Sequence, residues 1–272
     1  MNSILVYFCA KIGTMDKLTL VKVGGKIVEN EATLKQLLTD FKSISGNKVL
    51  VHGGGRSATA IAKELNVETK MVDGRRITDK PMLDVVTMVY AGLVNKNIVA
   101  GLQAQGCNAV GFCGADMDII RSVKRPVKEI DYGFVGDVVD VNTEELCLLI
   151  EQDVTPVMAP LTHDGEGTLL NTNADTIASE LAIGLCEHFN VNLVYCFEKD
   201  GVLSNPDDDS SVIHELNMAL YRQYKDDGTI AAGMIPKLDN AFRALGSGVK
   251  SVVITNANNL TKSSVKRTVV QF

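Results

Sequence analysis

Residues 48–65, KVLVHGGGRSATAIAKEL, decide the fold. An apolar run ending in His52 suits a buried strand. Three glycines follow at 53–55, and the helix-forming segment RSATAIAKEL comes next. A strand that runs through a bare glycine turn into a helix exposes backbone N–H groups at the positive end of a helix dipole. That arrangement suits an anion. The turn matches neither G-x-x-x-x-G-K-[ST] nor G-x-G-x-x-G, which argues against a Walker loop and against a dinucleotide-dependent oxidoreductase.

Outward from this turn the same grammar repeats. Residues 18–23 (LTLVKV), 108–112 (NAVGF), 155–159 (TPVMA), 193–197 (LVYCF) and 251–255 (SVVIT) read as buried strands. Between them Leu34, Leu37, Leu38 and Phe41 recur at helical spacing. Residues 77–106 offer Thr78 and Asp79 as cap candidates, Pro81 in the first turn and Gly106 as the stop. In 141–153, Asn142 is the expected cap, with Glu145 three residues on. Residues 119–142, with Gly133 and Gly136 as turn residues, predict an inserted hairpin, and 203–213 a polar loop. The alternation predicts an α/β protein: a three-layer α-β-α sandwich with a mainly parallel central sheet. Two lobes are expected, residues 1–165 and 166–272, with the boundary near 160–170.

Composition bounds the function. The chain has 272 residues, 46% of them hydrophobic, enough for a sizeable core, and a net charge of −6 with no basic stripe, which argues against nucleic acid. Six cysteines without a C-x-x-C pair read as reduced thiols, and the four histidines lack metal-ligand spacing, so no metal site is expected. No run approaches the roughly 20 apolar residues of a membrane span. Residues 4–10 are apolar but lack a basic flank and a cleavage site, so a cytoplasmic protein is expected, with Met15 an alternative start.

Ligands of open α/β sheets gather beyond the carboxyl ends of the strands. After the first strand comes VKVGGK. Lys22 stands in an apolar run, where an ammonium is costly without a partner, and Gly24 and Gly25 free the backbone to turn. The second glycine turn, with Gly54 and Gly55, could line the same anionic site. GRRIT supplies Arg75 and Arg76, side chains that grip carboxylates bidentately. In LLNTNAD, Asn173 and Asp175 could cap the next helix. Asn171 and Asn173 would point the same way if that stretch is extended. In GMIPK, Lys237 opens a helix, against the helix dipole, which a phosphate would explain.

KVGGK, VHGGG, GRRIT, NTNAD and GMIPK, in this order and spacing, resemble the amino acid kinase family from about Leu18 to the last strand, and within it the acylglutamate kinases. First turns in aspartokinases, glutamate 5-kinases and uridylate kinases read differently. The resemblance implies ATP with Mg²⁺ as its companion ion, an N-acylglutamate as acceptor, and an acyl phosphate of the arginine pathway as product. It further implies that Lys22, Lys237 and Asp175, with the N–H groups of Gly24, Gly25 and Gly54, carry catalysis. Gly54, Gly55, Arg76, Asn171 and Asn173 would hold the acylglutamate in the N-terminal lobe. The nucleotide site of the C-terminal lobe would comprise Glu198, Lys199, Asp200, Gly201, Val202, Leu203, Thr229, Ile230, Ala231, Gly233 and Met234, together with Lys22, Gly24 and Lys237.

Phe197-Glu198 depart from the family's Thr-Asp or Ser-Asp, and Arg75 replaces a usually apolar residue. Arg75 reads as a surface residue or as a sign of an anionic acyl group such as succinyl. A homodimer joined through the N-terminal lobe is expected. So is insensitivity to arginine, since the extra N-terminal helix of arginine-inhibited members has no counterpart in the sequence. The non-catalytic alternative is an amino-acid or nucleotide sensor on the same fold, which should have lost one of the three charged residues.

Overall fold

The structure is a computed structural model describing residues 15–72, 74–230, 232–262 and 266–272. The apolar segment 4–10 and Ala231 lie outside the described residues. In chain order the strands are β1 (Lys17–Val23), β2 (Asn47–His52), β3 (Lys70–Val72), β4 (Arg75–Ile77), β5 (Ala109–Phe112), β6 (Ile120–Lys124), β7 (Gly136–Val141), β8 (Thr155–Met158), β9 (Leu161–His163), β10 (Leu169–Asn171), β11 (Asn190–Phe197), β12 (Glu215–Leu216), β13 (Ser251–Asn256) and β14 (Thr268–Val270). The helices are α1 (Gly25–Glu29), α2 (Glu31–Ser43), α3 (Gly55–Glu64), α4 (Lys80–Thr87), α5 (Asn95–Gln103), α6 (Glu144–Glu151), α7 (Ala174–Leu185), α8 (Met218–Asp226) and α9 (Ile235–Gly246).

The eight-stranded central sheet runs β12-β14-β13-β11-β1-β2-β8-β5 and is parallel except for the β13–β14 pair. The expected hairpin is present as β6–β7. It joins the β9–β10 hairpin in a second sheet, ordered β10-β9-β6-β7.

Both faces of the central sheet are covered, and the pleat sorts residues between them. Leu18, Leu20, Val49 and Val51 pack with Ile177, Leu181 and Leu238 of α7 and α9. Val21, Val23 and Leu50 pack with Phe41, Ala58, Val86 and Ile98 of the opposite helices. Each fully buried Val, Leu, Ile or Phe among them contributes about 1.5–3 kcal/mol. Lys22 continues the row of Leu18 and Leu20, so its ammonium is carried towards α7.

His52 falls on the other face, fully buried. Its Nδ1 lies 2.8 Å from the Gly53 carbonyl and its Nε2 3.1 Å from Asn95 Nδ2. The Asn95 amide nitrogen can only donate, so Nε2 accepts and Nδ1–H donates. Burial pushes the imidazole down to about 4. The unfolded chain takes up this proton first, so His52 stabilises the fold fully above pH 6.5 and loses that contribution as pH falls towards 4. The loss is about 3 kcal/mol. Urea titrations of wild type and His52→Gln across this window should differ in slope. Parallel curves would remove His52 as the cause.

Two local expectations are corrected. The cap of α6 is Thr143, because Asn142 is drawn back by its N–H bond to the Ile119 carbonyl; its amide oxygen still accepts from Glu144 N at 3.3 Å. Residues 80–103 form one 24-residue helix, long and apolar enough to cross a membrane by length and composition. Met82, Val86, Ile98 and Leu102 of this helix are wholly buried in the core, which accounts for its apolarity. Asp79, not Thr78, caps it, accepting from Met82 N at 3.0 Å, and Met88–Val94 adopt a π-helical turn.

Candidate active site

Three charged residues meet beyond the carboxyl end of β1. Lys22 Nζ lies 2.6 Å from Asp175 Oδ1, and Lys237 Nζ hydrogen-bonds the other carboxylate oxygen. Asp175 sits in the first turn of α7, where Asn173 caps the helix by accepting from the N–H groups of Asp175 and Thr176 at 2.7 and 3.2 Å. Lys237 sits in the first turn of α9, whose N-terminus has no side-chain cap. Arg243 of α9 reaches Ser179 Oγ at 3.2 Å and Glu180 of α7, fixing the two helices against each other.

Burial by itself would raise the Asp175 carboxyl. The ammonium groups of Lys22 and Lys237 outweigh it and hold the group down at about 2. Burial lowers Lys22 from its ordinary value, with Asp175 opposing and Lys237 reinforcing the shift. One carboxylate between two ammonium groups leaves a net positive charge. The ring of Phe197 faces both cations, at 5.3 Å from Lys22 Nζ and 4.7 Å from Lys237 Nζ.

The two early glycine turns lie side by side. A Cβ built on Gly25 would stand 3.6 Å from Gly55 N and 3.7 Å from Gly54 N. Gly24 N–H is already taken by the Cys196 carbonyl at 3.3 Å, so Gly24 is not a free donor. Among the described residues, the N–H groups of Gly25, Gly54 and Gly55 have no acceptor. A Cβ on Gly54 would come within 2.9 Å of the Tyr90 ring. Gly54→Ala is therefore expected to cost about 1–3 kcal/mol in urea unfolding, as other overpacked sites do. An unchanged midpoint would show that the ring yields freely.

A cleft of about 720 Å³ joins these parts and is lined by Gly53, Gly54, Gly55, Arg76, Asn171 to Asp175, Gly233 and Lys237, among others. Arg76 is buried. Its Nη2 donates to the Gly55 carbonyl at 2.7 Å and to Thr59 Oγ1 at 2.9 Å, which ties the guanidinium to the start of α3. Asn171 Nδ2 donates to Thr78 Oγ1 at 2.9 Å. Asn173 lines the cleft although its amide oxygen is occupied by the cap.

The expected nucleotide segment follows β11. Glu198 pairs with Lys26, and its carbonyl accepts from Asn256 Nδ2 at 2.7 Å. Lys199 pairs with Asp209 and Asp200 accepts from Asn259. Gly201 is required by packing, since a Cβ there would meet Thr268 Oγ1 at 2.5 Å. Val202 is buried, and Leu203 bridges to Val212. Thr229 N is held by Asp227, and Ile230 is buried. Of this set, Gly233 and Lys237 line the cleft; Lys22, Gly24, residues 198–203 and 229–230 lie outside its lining, as does Met234.

Residues 17–256 match the amino acid kinase family. The chain belongs to the amino acid kinase family. It is 67% identical over 243 residues to the acetylglutamate kinase of Bacteroides thetaiotaomicron, covering 89% of this chain and 95% of that one. With the acetylglutamate kinase of Parabacteroides distasonis it shares 62% over 246 residues, covering 90% and 96%. In fold it is similar to N-acetylglutamate synthase from Neisseria gonorrhoeae, with a TM-score of 0.79 at 20% identity, covering 94% of this chain and 59% of that one.

In this amino acid kinase, the parts played by three residues escaped the sequence reading: Tyr90, which lines the cleft, Phe197, which faces both lysines, and Glu29. Phe197 and Tyr90 sit in apolar runs and look like core. Glu29 looks like surface, yet its Oε1 accepts from Ser57 N at 2.9 Å and ties α1 to the first turn of α3. No sequence pattern marks that pairing, because it links helices through a side chain of ordinary surface type.

Proposed function

We propose that this kinase transfers the γ-phosphoryl group of ATP to the γ-carboxylate of N-acetyl-L-glutamate, giving the acyl phosphate, the second step of arginine biosynthesis. The observation that carries this reading is the Lys22–Asp175–Lys237 bridge, set beside the unsatisfied N–H groups of Gly25, Gly54 and Gly55. The high identity to acetylglutamate kinases along nearly the whole chain supports it.

The nucleophile is a carboxylate, ionised at neutral pH, so no general base is required. His52, buried and held neutral, is not asked to serve as one. The obstacle is the approach of an anion to a polyphosphate, and positioning with charge neutralisation is the remedy. Lys22 and Lys237 hold the phosphoryl group in flight, and Asp175 orients both ammonium groups. The N–H groups of Gly25, Gly54 and Gly55 take its oxygens, while Arg76 and Asn171 hold the α-carboxylate of the acceptor. Residues 198–203 and 229–231, with Gly233 and Met234, bind the nucleotide in the C-terminal lobe, residues 166–272. The acceptor lies in the N-terminal lobe, residues 1–165.

Mg²⁺, carried on the ATP phosphates, would supply charge neutralisation there. Among the described residues no group of three potential ligands is present, and both oxygens of Asp175 face lysines. The enzyme works in the cytoplasm as a homodimer joined through the N-terminal lobe. The exposed Met88 and Leu93 on the 80–103 helix give that lobe an apolar face.

Hydroxylamine trapping of the acyl phosphate, with ATP and N-acetyl-L-glutamate, tests the proposal. Absence of hydroxamate would leave the sensor reading in its place. One observation favours a second substrate: Arg75 and Arg125 both line the cleft beside Arg76, so an acyl group bearing its own carboxylate, such as N-succinyl, would meet cations there. Relative kcat/KM for N-acetyl- and N-succinylglutamate decides between the two.

A further inference from the structure

The long helix 80–103 presents two side chains to the glycine turn. Asn95 donates to the Val157 carbonyl at 2.9 Å and approaches His52. Tyr90 packs its ring on Gly54. They are five residues apart, which in an α-helix would set them about 140° from each other. The π-helical turn Met88–Val94, with its i→i+5 bonding, lies between them and narrows that angle. Such turns cost hydrogen-bond geometry and recur at functional sites.

Tyr90 is 5% exposed, yet it lines the cleft. A carbon placed on Gly55 would stand 3.9 Å from Arg76 Nη2 and 4.0 Å from the Tyr90 hydroxyl, so both groups flank the same space. Arg76 is donor-only and cannot take the phenolic proton. No other described residue accepts it. Burial pushes the phenol up, with Arg76 opposing, so the O–H keeps its proton. A hydroxyl with a committed ring, a free proton and a guanidinium beside it is arranged for an anionic acceptor in the cleft.

We infer that Tyr90 is a substrate-positioning residue whose hydroxyl donates to the α-carboxylate held by Arg76. The inference rests on the acylglutamate kinase reading above. Tyr90→Phe removes the hydroxyl and keeps the ring on Gly54. A hydrogen bond to a charged group predicts a fall of about 10- to 100-fold in kcat/KM for N-acetylglutamate, with KM for ATP within about twofold of wild type.

The α-carboxamide analogue, N-acetyl-isoglutamine, keeps the γ-carboxylate nucleophile and removes the charge that Tyr90 would meet. The penalty of Tyr90→Phe should shrink to a few-fold on that analogue. An equal penalty on both acceptors would mark Tyr90 as structural and overturn the inference, as would wild-type kinetics on both. Thermal melting of the variant, expected to match wild type, separates unfolding from lost binding. If wild type phosphorylates N-acetylglutamate while the variant behaves identically, only this inference fails. If wild type forms no acyl phosphate with any N-acylglutamate, the functional reading fails and takes the inference with it.

Discussion

Lys237→Ala is expected to lower kcat by about 10²–10³, as deletion of a preorganised transition-state donor does elsewhere. The side chain is one-quarter exposed, so its removal opens no deep cavity. Lys22 and Asp175 remain as a one-to-one buried pair, and the melting temperature should stay close to that of wild type. The loss should therefore be kinetic. A lysine in the first turn of an uncapped helix opposes the dipole, and both cation and dipole favour an incoming phosphate. The ammonium is most valuable where charge spreads over the transferring oxygens, so kcat should suffer more than KM for ATP. Lys237→Arg should restore only part of the rate, because a planar guanidinium cannot occupy the place of a compact ammonium beside Asp175 and Phe197. Initial rates by hydroxamate formation provide the measurement. A rate for Lys237→Ala within a few-fold of wild type would remove Lys237 from the reaction centre.

The sheet was legible because buried parallel strands are near-continuous apolar runs, and a lysine inside one of them is conspicuous. The pleat then carried Lys22 onto the α7 face without further information. Glycine turns after β1 and β2 were equally plain, but their division of labour was not. Gly24 and Gly25 read alike in sequence, yet strand geometry commits the first N–H to Cys196 and leaves the second free. Asn173 read as either cap or ligand, and the helix start settles one of its two amide atoms as a cap.

Phe197 and Tyr90 were hidden for different reasons. An aromatic at the end of a buried strand carries no sign that two ammonium groups will lie over its face. Tyr90 falls with Leu83 and Val86 on the buried face that the 3.6-residue period marks, so it reads as core and nothing in the period shows that it lines the cleft. The nucleotide segment was the least legible part, because Gly201 and Val202 are explained by packing against β14 and Val212 alone.

Asp175→Asn should have the largest combined effect, because it keeps the shape and removes the charge that two cations share. Breaking a buried ion pair from one side costs about 3–5 kcal/mol, since the partner is left desolvated and unpaired. Here Lys22 is that partner, 5% exposed and already below its ordinary pKa through burial. Without the carboxylate it is lowered further. The unfolded chain then binds a proton that the folded one resists, and stability must rise with pH up to the ordinary lysine value. Wild type differs on the acid side. With Asp175 held at about 2 against an ordinary 3.8, its contribution is present above pH 3.8 and is lost as pH falls towards 2. That component, about 2 kcal/mol, should be absent from the variant. Turnover should fall by at least about 10², because Lys237 and Lys22 both lose the carboxylate that orients them. Urea unfolding at pH 7 and pH 9, read beside the rate, tests both halves. The variant should gain more stability between those pH values than wild type does. A variant as stable as wild type at pH 7, with an unchanged rate, would show that the bridge is neither a structural nor a catalytic necessity.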